Sequence, residues 1–362
     1  MMQKAKQLIL KALTHLLRPV VNRIIADSSS HTCERLVQYA VQRPVDLVKL
    51  STLFYYCYTY DTTYDAVPSE CRRRSIQEVG LTSDVAPPDA MPTDMPSMLC
   101  ALMSCFRHLW EHACEADFID VGANIGTVAL PMAAFIKNSG RSGQVFAFEP
   151  GLTAPLLEAN IRVNGLEDFV RSFQQAVCDI DSVVPLHTLC AHSVGAHTAL
   201  TPRGKEDELF ITKLVSSCRL DTFWADKKQG RVLVIKIDAE GFDGECILGL
   251  GNILADAQVA AVFFEYSIGS MLDRCADLTR PLKFLHANNF SLFNLWNAKI
   301  GTTKKRIPTM ERLLIEDKEW MTCFFNLVCT NNAWRQTDLC AINNNLPCIE
   351  DLLKVLREIF NS

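Results

Sequence analysis

The stretch FIDVGANIGTVAL, at residues 118–130, decides the fold of this chain. Apolar residues lead into Asp120, a short turn with Gly122 and Gly126 follows, and a helical pattern begins after the turn. A strand, a tight turn and a helix in this order are typical of an open α/β sheet, in which ligands bind beyond the carboxyl ends of the strands. The two glycines predict a backbone that turns sharply and lies close to a ligand.

The alternation of strands and helices continues through most of the chain. The helical segment 153–164 has Thr153 as its N-cap and Gly165 after its end. Several strands are apolar throughout, which is typical of a parallel sheet in an α/β fold, covered by helices on both faces. The sequence predicts strands at 117–120, 144–149, 170–177, 231–238, 259–266, 290–296 and 324–330, and a solvated loop or helix at 195–216.

The predicted domain organisation has three parts. Residues 1–97 form a helical accessory segment that ends in a proline-rich linker, 98–330 form the catalytic domain, and 331–362 form a C-terminal helical tail. Residues 1–26 carry five basic residues and no acidic residue. Three interpretations of this segment stay open: a helix packed on its own domain, a helix on a membrane surface, and a targeting peptide.

The composition narrows the class of protein. With 362 residues, of which 49% are hydrophobic and 21% charged, the chain can bury a large core. The net charge of −5 argues against a nucleic-acid-binding protein, which would normally be basic. The 15 cysteines include no Cys-x-x-Cys pair, so we expect reduced thiols, a cytoplasmic protein and no metal site. No apolar run reaches the roughly 18 residues of a membrane span, so membrane contact would be peripheral.

The turn after Asp120 indicates the kind of cofactor. A dinucleotide site would show Gly-x-Gly-x-x-Gly, but Asn124 and Thr127 stand where its second and third glycines would be. The negative charge of Asp120 would repel a pyrophosphate, whereas it would attract the amino group and sulfonium of S-adenosylmethionine. Glu149, at the end of the next predicted strand, can accept hydrogen bonds from both hydroxyls of a ribose. The sequence therefore predicts S-adenosylmethionine as the cofactor.

Six segments together carry a family resemblance: FIDVGANIG, FAFEP, EANIRVNGL, AVCD, RLDTF and VIKIDAEGFDGECILGL. In this order, between about residues 117 and 330, they resemble the FkbM family of S-adenosylmethionine-dependent methyltransferases. The resemblance implies a Rossmann-like class I methyltransferase fold: a seven-stranded, mostly parallel sheet with helices on both faces and an antiparallel last strand. It also implies O-methylation of a hydroxyl on a glycan or a secondary metabolite.

The resemblance also implies roles for particular residues. The ribose would be bound by Glu149, and the adenine amino group would be bound by Asp179. The methionine part of the cofactor would be lined by Asp120, Gly122, Asn124 and Gly126.

Two carboxylates are candidates for the catalytic base. Asp238 and Glu240 follow the most apolar predicted strand, and a carboxylate there can accept the proton of an acceptor hydroxyl. Either of them could instead cap the following helix or hold the cofactor amine. A histidine from the group His187, His192 and His197 is an alternative base. Glu265, which ends another predicted strand, is a candidate acceptor contact.

Three other functions stay open at this point. The chain could methylate a protein or a nitrogen atom, it could bind the cofactor without catalysis, or it could be a nicotinamide oxidoreductase. The absence of the dinucleotide glycine pattern argues against the oxidoreductase.

Overall fold

The structure is a computed structural model that describes residues 45–50, 53–58, 97–112, 115–189, 196–197, 210–225, 232–255, 259–267, 271, 276–295, 297–299, 306–308, 311–313 and 336–361. The basic segment 1–26, almost all of the predicted linker 82–97 and the predicted strand 324–330 lie outside the described residues.

The described elements follow one another in the order expected for an α/β fold. The strands are β1 (Val45–Leu50), β2 (Leu53–Tyr58), β3 (Ala116–Val121), β4 (Val145–Phe148), β5 (Val170–Phe173), β6 (Ala176–Val177), β7 (Ser182–Leu189), β8 (Ala196–His197), β9 (Phe210–Cys218), β10 (Val232–Ile237), β11 (Val259–Ser267), β12 (Phe290–Asn294), β13 (Asn297–Lys299), β14 (Arg306–Pro308), β15 (Glu311–Leu313) and β16 (Gln336–Asn343). The helices are α1 (Ser97–His112), α2 (Ala129–Ser139), α3 (Ala154–Val163), α4 (Leu220–Trp224), α5 (Asp243–Leu248), α6 (Arg280–Ala287) and α7 (Ile349–Asn361).

The main sheet has the strand order β15-β12-β16-β11-β10-β3-β4-β5. Five neighbouring strands, from β5 to β11, are parallel, and β16 is antiparallel to both β11 and β12. This arrangement confirms the predicted mostly parallel sheet with an antiparallel last strand. Among the described strands, the short edge strand β15 adds an eighth member to the seven that the sequence predicts.

The position of the last strand differs from the prediction. The antiparallel strand is β16, which lies in the segment 331–362 that the sequence predicts as a helical tail. Only α7, which follows β16, is helical among the described elements of that segment. The apolar pattern of β16 is interrupted by polar residues at both ends of the strand and by Asp338. Its sequence therefore shows only a weak alternation of the kind that predicts a strand.

The apolar residues of the central strands bury both faces of the sheet. Phe118 of β3 and Val234 of β10 face one core, which α1, α2 and α7 complete. Ile119 and Ile235, one position further along, face a second core that α4, α5 and α6 complete. All four side chains are fully buried. This double burial explains why neither β3 nor β10 shows the polar/apolar alternation of a half-exposed strand.

Two further regions correct the sequence-based expectations. The hairpin of β1 and β2 lies in the segment 1–97, which was predicted to be helical; its valine and aromatic residues favour a strand instead. The strand β9 occupies part of the segment 195–216, which was predicted as a loop or helix. It joins β6, β7 and β8 in a second sheet of four strands.

The second sheet begins where the predicted strand 170–177 divides. β5 stays in the main sheet, whereas β6 pairs with β9. Val215 of β9 and Leu186 of β7 then form a small apolar cluster with Ala176. The second sheet therefore starts at the carboxyl edge of the main sheet, where ligands bind in this class of fold.

Among the described residues, no helix is long and apolar enough to cross a membrane.

Candidate active site

A cleft of about 390 Å³ lies at the carboxyl ends of β3, β4 and β10. The turn residues Gly122 and Asn124, the strand-end residue Glu149, and the turn residues Asp238 and Glu240 line one side. The second sheet supplies an opposite, largely apolar side through Ala176, Val177, Val184, Pro185 and Leu186, next to Cys178, Asp179 and Ile180. The cleft therefore brings together most of the residues that the sequence analysis selected.

The glycine turn after β3 is held by its neighbours on the sheet. The backbone amides of Gly122 and Ala123 both donate to the carbonyl of Phe148, at 2.9 and 3.0 Å. Gly122 has φ +73°, and a Cβ atom there would overlap the backbone oxygen of Asp238. Gly122 is therefore required by the neighbouring strand end as well as by the turn.

Two other turn residues take different positions. Asn124 has φ +51° and lines the cleft, and its buried Oδ1 has no hydrogen-bond partner in the described part of the chain. Gly126 is not among the residues that line the cleft. A Cβ atom at this position would collide with the side chains of Leu130 on α2 and Leu157 on α3. Asn160 of α3 fixes the turn from behind, since its Nδ2 donates to the carbonyl of Ile125 at 2.9 Å.

Asp120 does not occupy the position that the sequence analysis expected. It is fully buried and is not among the residues that line the cleft. Its Oδ1 lies 3.1 Å from the Nζ of Lys236, its partner in the register of β3 and β10. The structure therefore pairs the charge of Asp120 with that of Lys236 within the sheet.

The ammonium of Lys236 connects the two strand ends. Besides Asp120, it donates to the carbonyls of Val121 at 3.2 Å and Gly122 at 2.8 Å, and it lies 3.6 Å from Oδ2 of Asp238. Burial lowers the pKa of Lys236, but Asp120 and Asp238 outweigh burial and hold this pKa above its ordinary value. Burial raises the pKa of Asp120, and Lys236 counteracts this rise.

Glu149 is buried at the end of β4 with its carboxylate in a fixed orientation. Its Oε2 accepts the backbone amide of Asn124 at 2.8 Å, and its Oε1 accepts that of Gly151 at 2.7 Å. Burial raises the pKa of Glu149, while these hydrogen bonds act in the opposite direction. The side chain of Thr153 makes a third hydrogen bond to this carboxylate, so of its roughly four acceptor positions one stays open to a ligand.

Asp179 lies on the cleft at the start of the second sheet. Its backbone oxygen accepts a hydrogen bond from Nη1 of Arg219 at 2.8 Å. The same guanidinium makes two further bonds to the carboxylate of Asp221, at 2.8 and 2.6 Å. The RLDTF segment thus holds the backbone of Asp179 in place.

The turn after β10 is organised by an acid that the sequence analysis did not select. The buried carboxylate of Asp243 accepts the backbone amides of Ala239 at 2.8 Å and Gly241 at 3.0 Å. Between these two amides, Glu240 takes a φ of +51°, which is unfavourable for a residue with a side chain. Asp243 therefore stabilises the conformation that puts Asp238 and Glu240 on the cleft.

The acids of this turn disfavour one another's charge. Burial, followed by the charges of Asp238 and Asp243, raises the pKa of Glu240. Burial raises the pKa of Asp243 to about 7, although its two backbone hydrogen bonds counteract the rise. The side chain of Asp238 is 33% exposed and has Lys236 as a neighbouring cation.

The histidine alternative receives no support from the described geometry. His187 is buried on β7, where its Nδ1 lies 2.7 Å from the hydroxyl of Thr212, and it does not line the cleft. His197 pairs with His187 on the neighbouring strand, and His192 lies outside the described residues. In the described part of the chain, no group of three or more His, Cys, Asp and Glu residues could hold a metal ion.

Lys236 and Asp243 are the functional residues that sequence reasoning missed. Both lie within the segment VIKIDAEGFDGECILGL, and the sequence contains a sign of the role of each. A lysine inside a strand that is buried on both faces needs an acidic partner, and Asp120 occupies the equivalent position before a strand end. Asp243 stands at the first position of α5, where an acid is favoured by the helix dipole.

The family comparison agrees with this geometry. The family model described as Methyltransferase FkbM domain matches residues 120–292, which contain the glycine turn, Glu149 and the turn after β10. Residues 120–292 form an FkbM methyltransferase domain. This match confirms the resemblance to the FkbM family that the sequence indicated. Members of that family use S-adenosylmethionine as their cofactor. The comparison with curated proteins found no match.

Solved structures of methyltransferases are also similar to the chain that carries this FkbM domain. Methyltransferase FkbM from Methylobacillus flagellatus KT is 13% identical, with a TM-score of 0.33, over 64% of this chain and 53% of that one. This chain thus spans about half the length of that structure. A SAM-dependent methyltransferase from Agrobacterium tumefaciens is 9% identical, with a TM-score of 0.35, over 82% and 69% of the two chains.

A third structure has a defined ligand. The plantazolicin methyltransferase BpumL, in complex with a substrate analogue and S-adenosylhomocysteine (SAH), is 11% identical, with a TM-score of 0.27, over 68% of this chain and 84% of that one. All three TM-scores are below 0.5, so the assignment of the FkbM domain rests on the family match and the strand order.

Proposed function

We propose that this chain transfers a methyl group from S-adenosylmethionine to a hydroxyl of a small molecule or a glycan. The observation that carries the proposal is the placement of Glu149 and of the turn 238–241 on one cleft of the FkbM domain. Glu149 would hold the ribose, and the turn would face the acceptor.

Three features of the cleft fit the cofactor. Its volume, about 390 Å³, is in the range of small-molecule sites. Glu149 has an oriented carboxylate with an acceptor position left for a ribose hydroxyl. The buried Oδ1 of Asn124 is an acceptor without a donor among the described residues, which a ligand amino group would satisfy. Asp179 would reach the adenine amino group from the second sheet.

The chain's own part in the reaction is to place the acceptor and to remove its proton. When bound, S-adenosylmethionine supplies an electrophilic methyl group. Asp238 is the better candidate for the base, because it is partly exposed to the cleft and has Lys236 beside it. The raised pKa of Glu240 favours its neutral form, which suits a hydrogen-bond donor to the acceptor.

N-directed methylation is the second candidate. Asp238, Glu240 and the nearby Glu265 would attract an acceptor that carries an ammonium group. The test below therefore includes amines among the acceptors. Peripheral membrane contact through residues 1–26 stays a prediction.

The test separates cofactor binding from chemistry. Glu149→Ala should weaken SAH binding at least tenfold in calorimetry, because it removes charge-assisted hydrogen bonds. Asp238→Asn should leave SAH affinity within about threefold and lower transfer of a labelled methyl group by about 10²-fold or more. The acceptors are sugars, lipid-linked glycans, hydroxylated polyketides and amines.

The matched control for both variants is Glu158→Gln, an exposed carboxylate on α3 that pairs with Arg162 one helical turn away. It should change neither binding nor transfer. Wild-type protein that binds neither S-adenosylmethionine nor SAH would refute the proposal. Equal losses of affinity and transfer in Asp238→Asn would make Asp238 a cofactor ligand instead of a base.

A further inference from the structure

Three acids lie at one level across the neighbouring strands β10, β11 and β16. Ile237 of β10 pairs with Phe264 of β11, so the next residue, Asp238, stands beside Glu265. Glu265 in turn pairs with Asp338 of β16. Residues paired across neighbouring strands present their side chains on the same face of the sheet, so the three acids share a face.

The nearest cation cannot neutralise Glu265. The Nζ of Lys236 has three donors, and it already faces Asp120 and the carbonyls of Val121 and Gly122. Its distance to Asp238 is 3.6 Å, and no ion pair of Glu265 with a basic side chain occurs in the described part of the chain. The close carboxyl groups of Asp238 and Glu265 repel each other's negative charge, which favours a proton on one of the two.

We propose that Glu265 is the proton-carrying acid of this row and that it donates a hydrogen bond to Asp238, which stays ionised. Glu265 would then be a positioning residue: it is not among the residues that line the cleft, but it holds the carboxylate that takes the acceptor's proton. The role of Asp238 as base rests on the proposed function, whereas the proton on Glu265 does not.

The electrostatics around Glu265 agree with this assignment. Burial, the charge of Asp238 and a hydrogen bond with Asp238 raise the pKa of Glu265 far above its ordinary value. The other charged or histidine side chains on described elements packed against β11 include Lys236 and Glu240 near β10, Asp243 and Glu245 on α5, Asp338 on β16, and Arg107, His108 and Glu111 on α1. Glu240 and Asp243 raise this pKa further.

A neutral acid is a better partner for Asp238 than a second carboxylate. Its hydroxyl can donate one hydrogen bond, which fixes the rotation of the Asp238 carboxylate. An ionised Glu265 would repel the carboxylate of Asp238 instead. The proton on Glu265 thus keeps a single negative charge beside the cleft at the place where a base is needed.

Infrared spectroscopy tests the protonation directly on the ligand-free protein at pH 7. The difference spectrum of wild type minus Glu265→Gln should contain the carbonyl band of a neutral carboxylic acid, and ¹³C-labelling of glutamate should shift that band. Glu111→Gln, an exposed acid on α1, should yield no such band. A difference spectrum with only carboxylate bands would overturn the proposal.

A pair of variants tests the hydrogen bond to Asp238. Glutamine keeps a donor of similar size, so Glu265→Gln should retain the urea midpoint of the wild type. Glu265→Leu removes the donor and should lower the midpoint. If glutamine lowers the midpoint as much as leucine does, Glu265 is ionised and the proposal is wrong. Neither measurement involves a cofactor, so failure of the proposed function would leave both readouts intact.

Discussion

The turns after β3 and β10 lie side by side at the carboxyl edge of the sheet, yet their charges are arranged in opposite ways. Around the first turn, the acids have partners: Asp120 of β3 pairs with Lys236, and Glu149 at the end of β4 accepts two backbone amides. In the second turn, acids face other acids, and burial together with neighbouring charges raises the pKa of Glu240.

This contrast assigns different tasks to the two turns. Acids with fixed hydrogen-bond or ion-pair partners are held in one orientation, which suits a binding surface. Acids that disfavour one another's charge have pKa values close to the range where protons are exchanged, which suits chemistry. Each turn also contains a residue other than glycine with positive φ, Asn124 and Glu240, so both are strained at the cleft.

The largest expected effect is in the first turn. Lys236→Met should lower the free energy of unfolding by about 3–5 kcal/mol, because it leaves Asp120 buried without its counter-ion. Urea denaturation at pH 7 measures this, with the exposed Arg162→Gln as control, for which we expect at most about 0.5 kcal/mol. Adding Asp120→Asn to Lys236→Met should recover part of the loss. A cost below about 1 kcal/mol would mean that the first turn is not compensated in this way.

A smaller effect is expected where the two turns touch. Gly122→Ala should lower the free energy of unfolding by about 2–5 kcal/mol, because the positive φ and the overlap with the Asp238 carbonyl act together. Gly140→Ala is the matched control: it has φ +66° but nothing within 4 Å, so it should lower stability by only about 1–2 kcal/mol. Equal losses in urea denaturation would show that the two turns are not in contact.

The smallest effect is the pH dependence of stability, and it tests the second turn. The folded chain keeps a proton on Asp243, whose pKa is raised to about 7, whereas the unfolded chain releases it near pH 4. The folded state therefore binds more protons between these values, and the free energy of unfolding should fall as pH rises from about 4 to about 7. The raised pKa of Glu240 acts in the same direction.

Thermal melts across this pH range, with Asp243→Asn beside the wild type, measure the slope. The variant cannot hold the proton, so its dependence on pH should be flatter. A wild type that becomes more stable between pH 5 and 7 would show that the acids of the second turn are compensated like those of the first.

The sequence was sufficient for the parts of the fold and site that depend on local pattern. The sequence predicted the strands β3 and β10, the glycine turn and the strand-end acid Glu149, because each is set by residues close to one another in the chain. The ion pair of Asp120 could not be predicted in this way. Its partner Lys236 is 116 positions further along, and only the pairing of β3 with β10 shows that the two meet.

The strands β9 and β16, which the sequence did not predict, escaped prediction for a related reason. β9 carries threonine, lysine and serine on one strand and becomes a strand only by pairing with β7. β16 is polar at both ends and is stabilised between β11 and β12. In both, tertiary pairing overrides a weak local preference.

The contact between Gly122 and the carbonyl of Asp238 restricts how this domain can diverge. A residue larger than glycine at 122 requires the turn after β10 to move. Lys236 and Asp243 hold that turn in place, through contacts with Asp238 and with the amide of Ala239. Substitutions there are epistatic: each is tolerated only together with others. Val184 and Leu186 of β7 also line the cleft, but they pack in a separate small apolar cluster that contains neither turn. We therefore expect substitutions in the second sheet to be tolerated more readily than substitutions in either of the two turns.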